Sequence, residues 1–251
     1  MRLGLVTYNM AKDWDVSSII EKCTATGFEG VELRTTHAHG VEVALSAAER
    51  KEVRKRFEDS PVRIAGLGGT FEYHAADPAV LRQNIEGTKE YVKLAHDVGA
   101  PGVKVRPNGF PEGVPREKTI AQIGLALREC GAFAKDHGVQ VRLEVHGRET
   151  CHPANIRKML DAADHDNVFA CWNSNAQDVV EGSVRQGFDL LRQRIGLVHI
   201  NELHTAYPWK ELFRLLQWHG YGSYCLAEIP GSPDAERVMR YYRALFLALC
   251  A

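Results

Sequence analysis

Hydrophobic positions along this chain follow two alternating rhythms. Short, nearly unbroken apolar runs recur at "LGLVTY" (3–8), "GVELR" (30–34), "VRIAGL" (62–67), "GVKVR" (102–106), "VQVRLEV" (139–145), "VFACW" (168–172), "GLVHIN" (196–201) and "YCLAEI" (224–229). Runs of this length, rich in β-branched residues, read as strands buried on both faces. Between them, apolar residues return every three or four positions, the period of an amphipathic helix. In "VSSIIEKCTATG", Val16, Ile19, Ile20 and Cys23 share one face, and Gly27 ends the pattern. A helix opens with Asp77 as N-cap and Pro78 at its first position, and stops at Gly99. Others start after Pro115 and at Pro208 and stop at Gly138 and Gly220, and a last one runs through "SPDAERVMRYYRALFLALCA". Pro at a helix start and Gly just past its end are the expected punctuation.

Strands that alternate with helices form βαβ units, which pair in parallel. Eight such units over residues 1–251 predict a single (β/α)8 TIM barrel, an α/β fold. An open doubly wound sheet is the alternative, but "VTYNMAKDW" after the first strand has no G-x-G-x-x-G turn. No Pro/Ser-rich linker or internal repeat divides the chain.

Composition narrows the class of function. The 251 residues carry a formal charge of −1, with no basic stripe, which argues against nucleic acid as a partner. The N-terminus lacks a signal peptide's long apolar region, and no segment approaches the roughly 20 apolar residues of a membrane helix. Six cysteines without a CxxC pattern read as reduced thiols of a cytoplasmic protein. Cys151, in an expected loop, lacks an adjacent activating motif for a nucleophile.

In such barrels the active site lies at the C-terminal ends of the strands. Side chains alternate along a strand, so direction follows from parity. In "VQVRLEVHG", Val141, Leu143 and Val145 face the helices, while Glu144 and His146 face the barrel axis. Asn173 follows Cys171 inward, His199 follows Leu197, and Glu228 follows Leu226. Taken singly, each has a plain structural explanation: an ion pair, a core hydrogen bond, a turn. Together, on neighbouring strands at equal depth, they predict a site for one divalent ion, because two buried carboxylates repel unless a cation lies between them. Three oxygen donors and an imidazole suit Mn²⁺ best, with Co²⁺, Zn²⁺ or Mg²⁺ as alternatives.

The stretches "RLEVHG", "VFACWNSN", "LVHINEL" and "CLAEI" give the whole chain a resemblance to the xylose-isomerase-like TIM barrels, a superfamily that includes sugar epimerases and isomerases, inosose dehydratases and endonuclease IV-type enzymes. The resemblance implies a catalytic divalent metal held by Glu144, Asn173, His199 and Glu228, with the two glutamates as the acid/base pair of the epimerase branch. The sequence departs from the family pattern at two places. The strand-six ligand, usually Asp, is Asn173, and the His three residues beyond it is Ala176. Asn keeps an oxygen donor but removes one negative charge, so the ion would be held more weakly and polarise its substrate more strongly.

Other polar groups gather at the same rim. His37 and His39 follow strand two, beside inward-facing Glu32 and Arg34. Glu72 and His74 lie on a Gly-rich stretch after strand three that reads as a flexible loop. Lys104 and Arg106 point inward from strand four. With His146, Asn175 and Glu202, the residues His37, His39, Glu72, His74 and Lys104 are the candidates for substrate contact. Trp172 has outward parity and is expected in the core. The expected activity is isomerisation or epimerisation of a sugar, keto-sugar or cyclitol, with metal-dependent dehydration as the alternative. Endonuclease IV-like hydrolysis and non-catalytic sugar binding rank below these. The apolar tail "YYRALFLALCA" is expected to pack on the barrel's outside or on a second subunit of a homo-oligomer.

Overall fold

The computed structural model describes residues 1–251. Eight parallel strands close on themselves in sequence order: β1 (Arg2–Val6), β2 (Gly30–Arg34), β3 (Arg63–Glu72), β4 (Gly102–Arg106), β5 (Gln140–Glu144), β6 (Val168–Trp172), β7 (Ile195–Ile200) and β8 (Tyr224–Ala227). Between and after them run the helices α1 (Val16–Thr26), α2 (Ala47–Glu58), α3 (Pro78–Val98), α4 (Arg116–Asp136), α5 (Pro153–Ala163), α6 (Arg185–Leu191), α7 (Trp209–Trp218) and α8 (Ala235–Cys250). This is the (β/α)8 barrel that the alternating pattern predicts. No helix is long and apolar enough to cross a membrane.

The helix punctuation acts as read. Asp77 accepts a hydrogen bond from the Ala79 N–H at 2.8 Å, and Gly99 ends α3 with φ of 79°. Outward-facing Val141, Leu143 and Val145 are fully buried between barrel and helices, as is Trp172, whose indole N–H donates to the Tyr207 hydroxyl. Full burial of each such aliphatic side chain contributes roughly 1.5–3 kcal/mol.

The barrel interior is divided. Val6, Ala65, Cys171, Leu197, Tyr224 and Leu226 form an apolar cluster inside it. The β2–β5 side holds buried charge instead: Glu32, Lys104, Arg142 and Glu144. Glycines make room for these groups. A Cβ at Gly68 would lie 2.9 Å from a Glu32 carboxylate oxygen, and one at Gly102 would lie 2.5 Å from Arg142 Nε. Arg142 reaches across to β3, where its guanidinium donates to the Ala65 carbonyl at 2.7 Å.

One expectation fails here. The Gly-rich stretch read as a flexible loop is the second half of a ten-residue β3, which runs through Glu72. Its register against β4 shifts between Gly68 and Glu72. Glycine there reflects neighbours that need the space of a side chain, and it leaves the strand intact.

Candidate active site

At the C-terminal ends of β5, β7 and β8, Glu144, His199 and Glu228 bring one ligand atom each within 4.8 Å of one another. His199 Nδ1 stands 3.5 Å from a Glu144 oxygen and 3.5 Å from a Glu228 oxygen. A divalent ion bound at about 2.1 Å spaces its ligands about 3.0–3.4 Å apart, close to these separations. His199 Nδ1 is buried without a hydrogen-bond partner. Its Nε2 lies 3.4 Å from the Glu32 carboxylate. A carboxylate on the far nitrogen selects the tautomer whose Nδ1 lone pair points into the cluster, which is how histidine ligands are oriented. The donor set and the unpartnered nitrogen therefore fit a divalent cation.

Charge dictates the state of these groups in the absence of an ion. Burial works against an imidazolium, but Cys171, Glu32 and Glu144 around His199 outweigh it and push its pKa well up. For Glu144, burial opposes ionisation, yet Lys104 and His199 hold its carboxyl well below the usual range. Lys104 Nζ donates to Glu144 Oε2 at 2.8 Å, with both side chains almost wholly buried. Burial likewise opposes the Lys104 ammonium, and Glu144 and Glu32 overcome it, raising its pKa.

Asn173 is buried immediately after β6. Its Nδ2 lies 3.4 Å from Glu144 Oε1, and its Oδ1 accepts the Ser174 N–H at 2.9 Å. The amide assignment follows this hydrogen-bond pattern. Rotating the amide by half a turn turns the oxygen toward the cluster. Ser174 fixes the segment, donating its hydroxyl to the His199 carbonyl at 3.0 Å.

A cavity of about 90 Å³ adjoins the cluster, and Glu32, Arg34, Lys104, Arg106 and His146 line it together with the three ligand candidates. Burial lowers the His146 pKa, and its Nδ1 has no partner. Glu72 sits at the cavity's edge, paired with Arg106, and His74 Nδ1 is 3.8 Å from Glu72.

Several sequence candidates are engaged elsewhere. His39 accepts the Val41 N–H on Nδ1 at 3.0 Å and donates from Nε2 to the Arg34 carbonyl at 2.8 Å, so backbone occupies both nitrogens. His37 lies between Thr7 and Arg34; burial first, and then the Arg34 charge, lower its pKa to about 4. Asn175 donates its amide to the Val145 carbonyl at 2.6 Å, tying the end of β5 to the loop after β6. Glu202 is exposed and borders a separate depression with Ile229, Pro230 and Tyr241. Conversely, Glu32, Arg34 and Arg106 enter the site although parity alone marked them only as inward-facing.

A family model described as xylose isomerase-like TIM barrel matches residues 20–245. An L-ribulose 3-epimerase of Mesorhizobium japonicum is 26% identical over 163 residues, covering 61% of this chain and 55% of that protein, so the match spans about half of the relative's length. Among solved structures, D-psicose 3-epimerase with D-tagatose from Clostridium cellulolyticum H10 superposes with a TM-score of 0.84 at 14% identity, covering 100% of this chain and 99% of that one. The IOLI protein with a bound zinc atom superposes with a TM-score of 0.83 at 15% identity, covering 100% and 98%. At these identities the structural likeness speaks for the barrel itself.

Proposed function

The chain belongs to the xylose isomerase-like TIM barrel family, and from that premise we propose that it is a divalent-metal-dependent isomerase or epimerase acting on a keto-sugar or cyclitol. One observation carries this reading. Two carboxylates flank an imidazole whose free nitrogen faces them both, at the strand ends where barrels of this kind place their chemistry. The names of the relatives, sugar 3-epimerases, point the same way.

Glu144, His199 and Glu228 would hold the ion, with Asn173 beside them as the fourth donor; Mn²⁺ suits this set best, and Co²⁺, Zn²⁺ and Mg²⁺ are the alternatives. When bound, a divalent cation supplies the polarisation of a substrate carbonyl that acidifies the neighbouring C–H. Glu144 and Glu228 remove that proton from one face and return it at the other. Lys104 holds Glu144 ionised and in one orientation. Glu32 keeps the His199 ring turned toward the ligands. Asn173 donates rather than repels beside Glu144, so the site carries one negative charge fewer than an Asp would give.

Lys104 also favours a second outcome at the same site. A buried ammonium within the cavity can protonate a leaving hydroxyl, which turns the same enediolate chemistry into dehydration. Elemental analysis of the purified protein, followed by C–H exchange in deuterated water across keto-sugars and keto-cyclitols, tests the proposal. About one equivalent of metal, lost in Glu144→Gln and His199→Gln, together with exchange in the wild type, is the expected result. Absence of both metal and exchange refutes it.

A further inference from the structure

The cavity beside the ligand cluster carries more positive charge than a neutral sugar needs. Three carboxylates (Glu32, Glu144, Glu228) and three cations (Arg34, Lys104, Arg106) line it. With His199 neutral, as a metal ligand must be, the three pairs of charges cancel, and a divalent cation then leaves the lining with a surplus of positive charge. Glu72, paired with Arg106 at the edge, offsets only part of that surplus.

The cations are not equivalent. Lys104 is committed to Glu144. Arg34 meets no carboxylate: its guanidinium donates to the Thr35 carbonyl at 3.3 Å, faces His37 Nε2 at 3.4 Å and lies over the Tyr8 ring at 5.0 Å. A guanidinium only donates, so the His37 Nε2 facing it is the acceptor and Nδ1 carries the proton, placed 2.9 Å from the Thr7 hydroxyl. Thr7 also accepts the Arg34 backbone N–H at 3.0 Å. Thr7, Tyr8 and His37 thus hold Arg34 from the segments that follow β1 and β2, and Arg34 lines the cavity with the rest of its donor fork. Arg106 directs one nitrogen to Glu72, while its Nε is buried without a partner. His146 Nδ1, on the same cavity, is equally unpartnered.

An unpartnered buried Arg106 N–H and an Arg34 guanidinium that meets no carboxylate, beside a cationic surplus, call for an acceptor that arrives with the ligand. We propose that the substrate carries an anionic oxygen group, carboxylate or phosphate, next to its reacting carbonyl, and that Arg34 docks it with Arg106 beside it. The inference rests on the isomerase reading for the carbonyl, but not for the anion. A planar guanidinium fork matches either group, and the small cavity favours the carboxylate. His37, Thr7 and Tyr8 are positioning residues for Arg34.

Three six-carbon 2-keto probes differing at C1 separate the possibilities: 2-ketogluconate, fructose 1-phosphate and fructose. Calorimetric titration of the Mn²⁺-loaded wild type is expected to show one of the two anions binding at least about tenfold more tightly than fructose, the factor of a single charged hydrogen bond. Whichever anion shows the preference identifies the group. Arg34→Gln should abolish that preference, so that the anion binds no more tightly than fructose to the same variant, and Arg34→Lys should keep part of it. Equal binding of all three probes to the wild type overturns the inference, even if Arg34→Gln fails to fold. An anion preference that Arg34→Gln leaves intact in a folded protein also overturns it. Parallel C–H exchange keeps the two readings apart. Anion preference without exchange sinks the isomerase reading alone, and exchange of fructose without anion preference sinks this inference alone.

Discussion

Lys104→Met removes the ammonium from Glu144 while preserving most of the aliphatic stem. The two groups meet at 2.8 Å, with side chains only 8% and 3% exposed, so water in the small cavity compensates the lost partner poorly. Breaking one side of such a buried pair costs about 3–5 kcal/mol. His199 cannot take over fully, because Glu32 and Glu228 already face it. For a chain of this size each 1 kcal/mol shifts Tm by about 2–4 °C, so the variant should melt about 6–20 °C lower in the presence of a chelator. A divalent ion in the cluster supplies the missing charge to Glu144. At about 100 times its Kd the ion adds about 2.7 kcal/mol to the wild type. It should add more to the variant, whose cluster has lost a competing cation, so the gap between the two proteins narrows. Thermal melts of both proteins with chelator and with Mn²⁺ measure this directly. A gap that is the same in both conditions, or one under 1 kcal/mol in chelator, refutes the assignment of Lys104 as the cluster's internal counter-charge.

Three further outcomes follow from particular contacts. Asn173→Asp should tighten metal binding, read by competition with a fluorescent chelator; an unchanged Kd would make Asn173 a turn residue and no ligand. Gly102→Ala pushes a methyl to 2.5 Å from Arg142 Nε inside a filled barrel, and should destabilise by about 1–3 kcal/mol in urea denaturation. Asp178, buried behind the β6 loop, accepts from the Asn175 N–H and the Tyr207 hydroxyl, and burial pushes its pKa up to about 7. The folded state thus binds its proton more tightly than the unfolded chain. The stabilisation, up to about 4 kcal/mol, is complete below the ordinary Asp value of 3.8 and is lost as pH rises through about 7. Asp178→Asn should flatten the fall in stability between pH 4 and 8, and an unaltered slope would remove Asp178 as its source.

The strands were legible because parallel strands covered by helices are apolar along their whole length, and the helices because their capping residues do what their chemistry requires. Parity alone put Glu144, His199 and Glu228 on the axis, since β5, β7 and β8 keep their alternation to the end. The link between Glu32 and His199 was not legible: it crosses the barrel between residues 167 positions apart. The end of β3 was misread because glycine marks loops far more often than it marks space left for a neighbour's carboxylate. His39 and Asn175 looked like mouth residues by composition, yet backbone groups satisfy them: for His39 those of Arg34 and Val41 close by in the chain, and for Asn175 the Val145 carbonyl at the end of the neighbouring strand. The α2 helix shows the opposite difficulty. Only its Phe57 is fully buried, so its helical period is faint, and the Ser46–Glu49 capping box is its clearest signal.

Arg142 spans the barrel floor from β5 to the Ala65 carbonyl on β3. A depression of about 500 Å³ opens beneath it, and that depression shares no wall residue with the cavity above. The barrel is therefore a blind well stoppered by a guanidinium. Reactant and product must pass through the same doorway, and a molecule lingering at the rim blocks the next arrival.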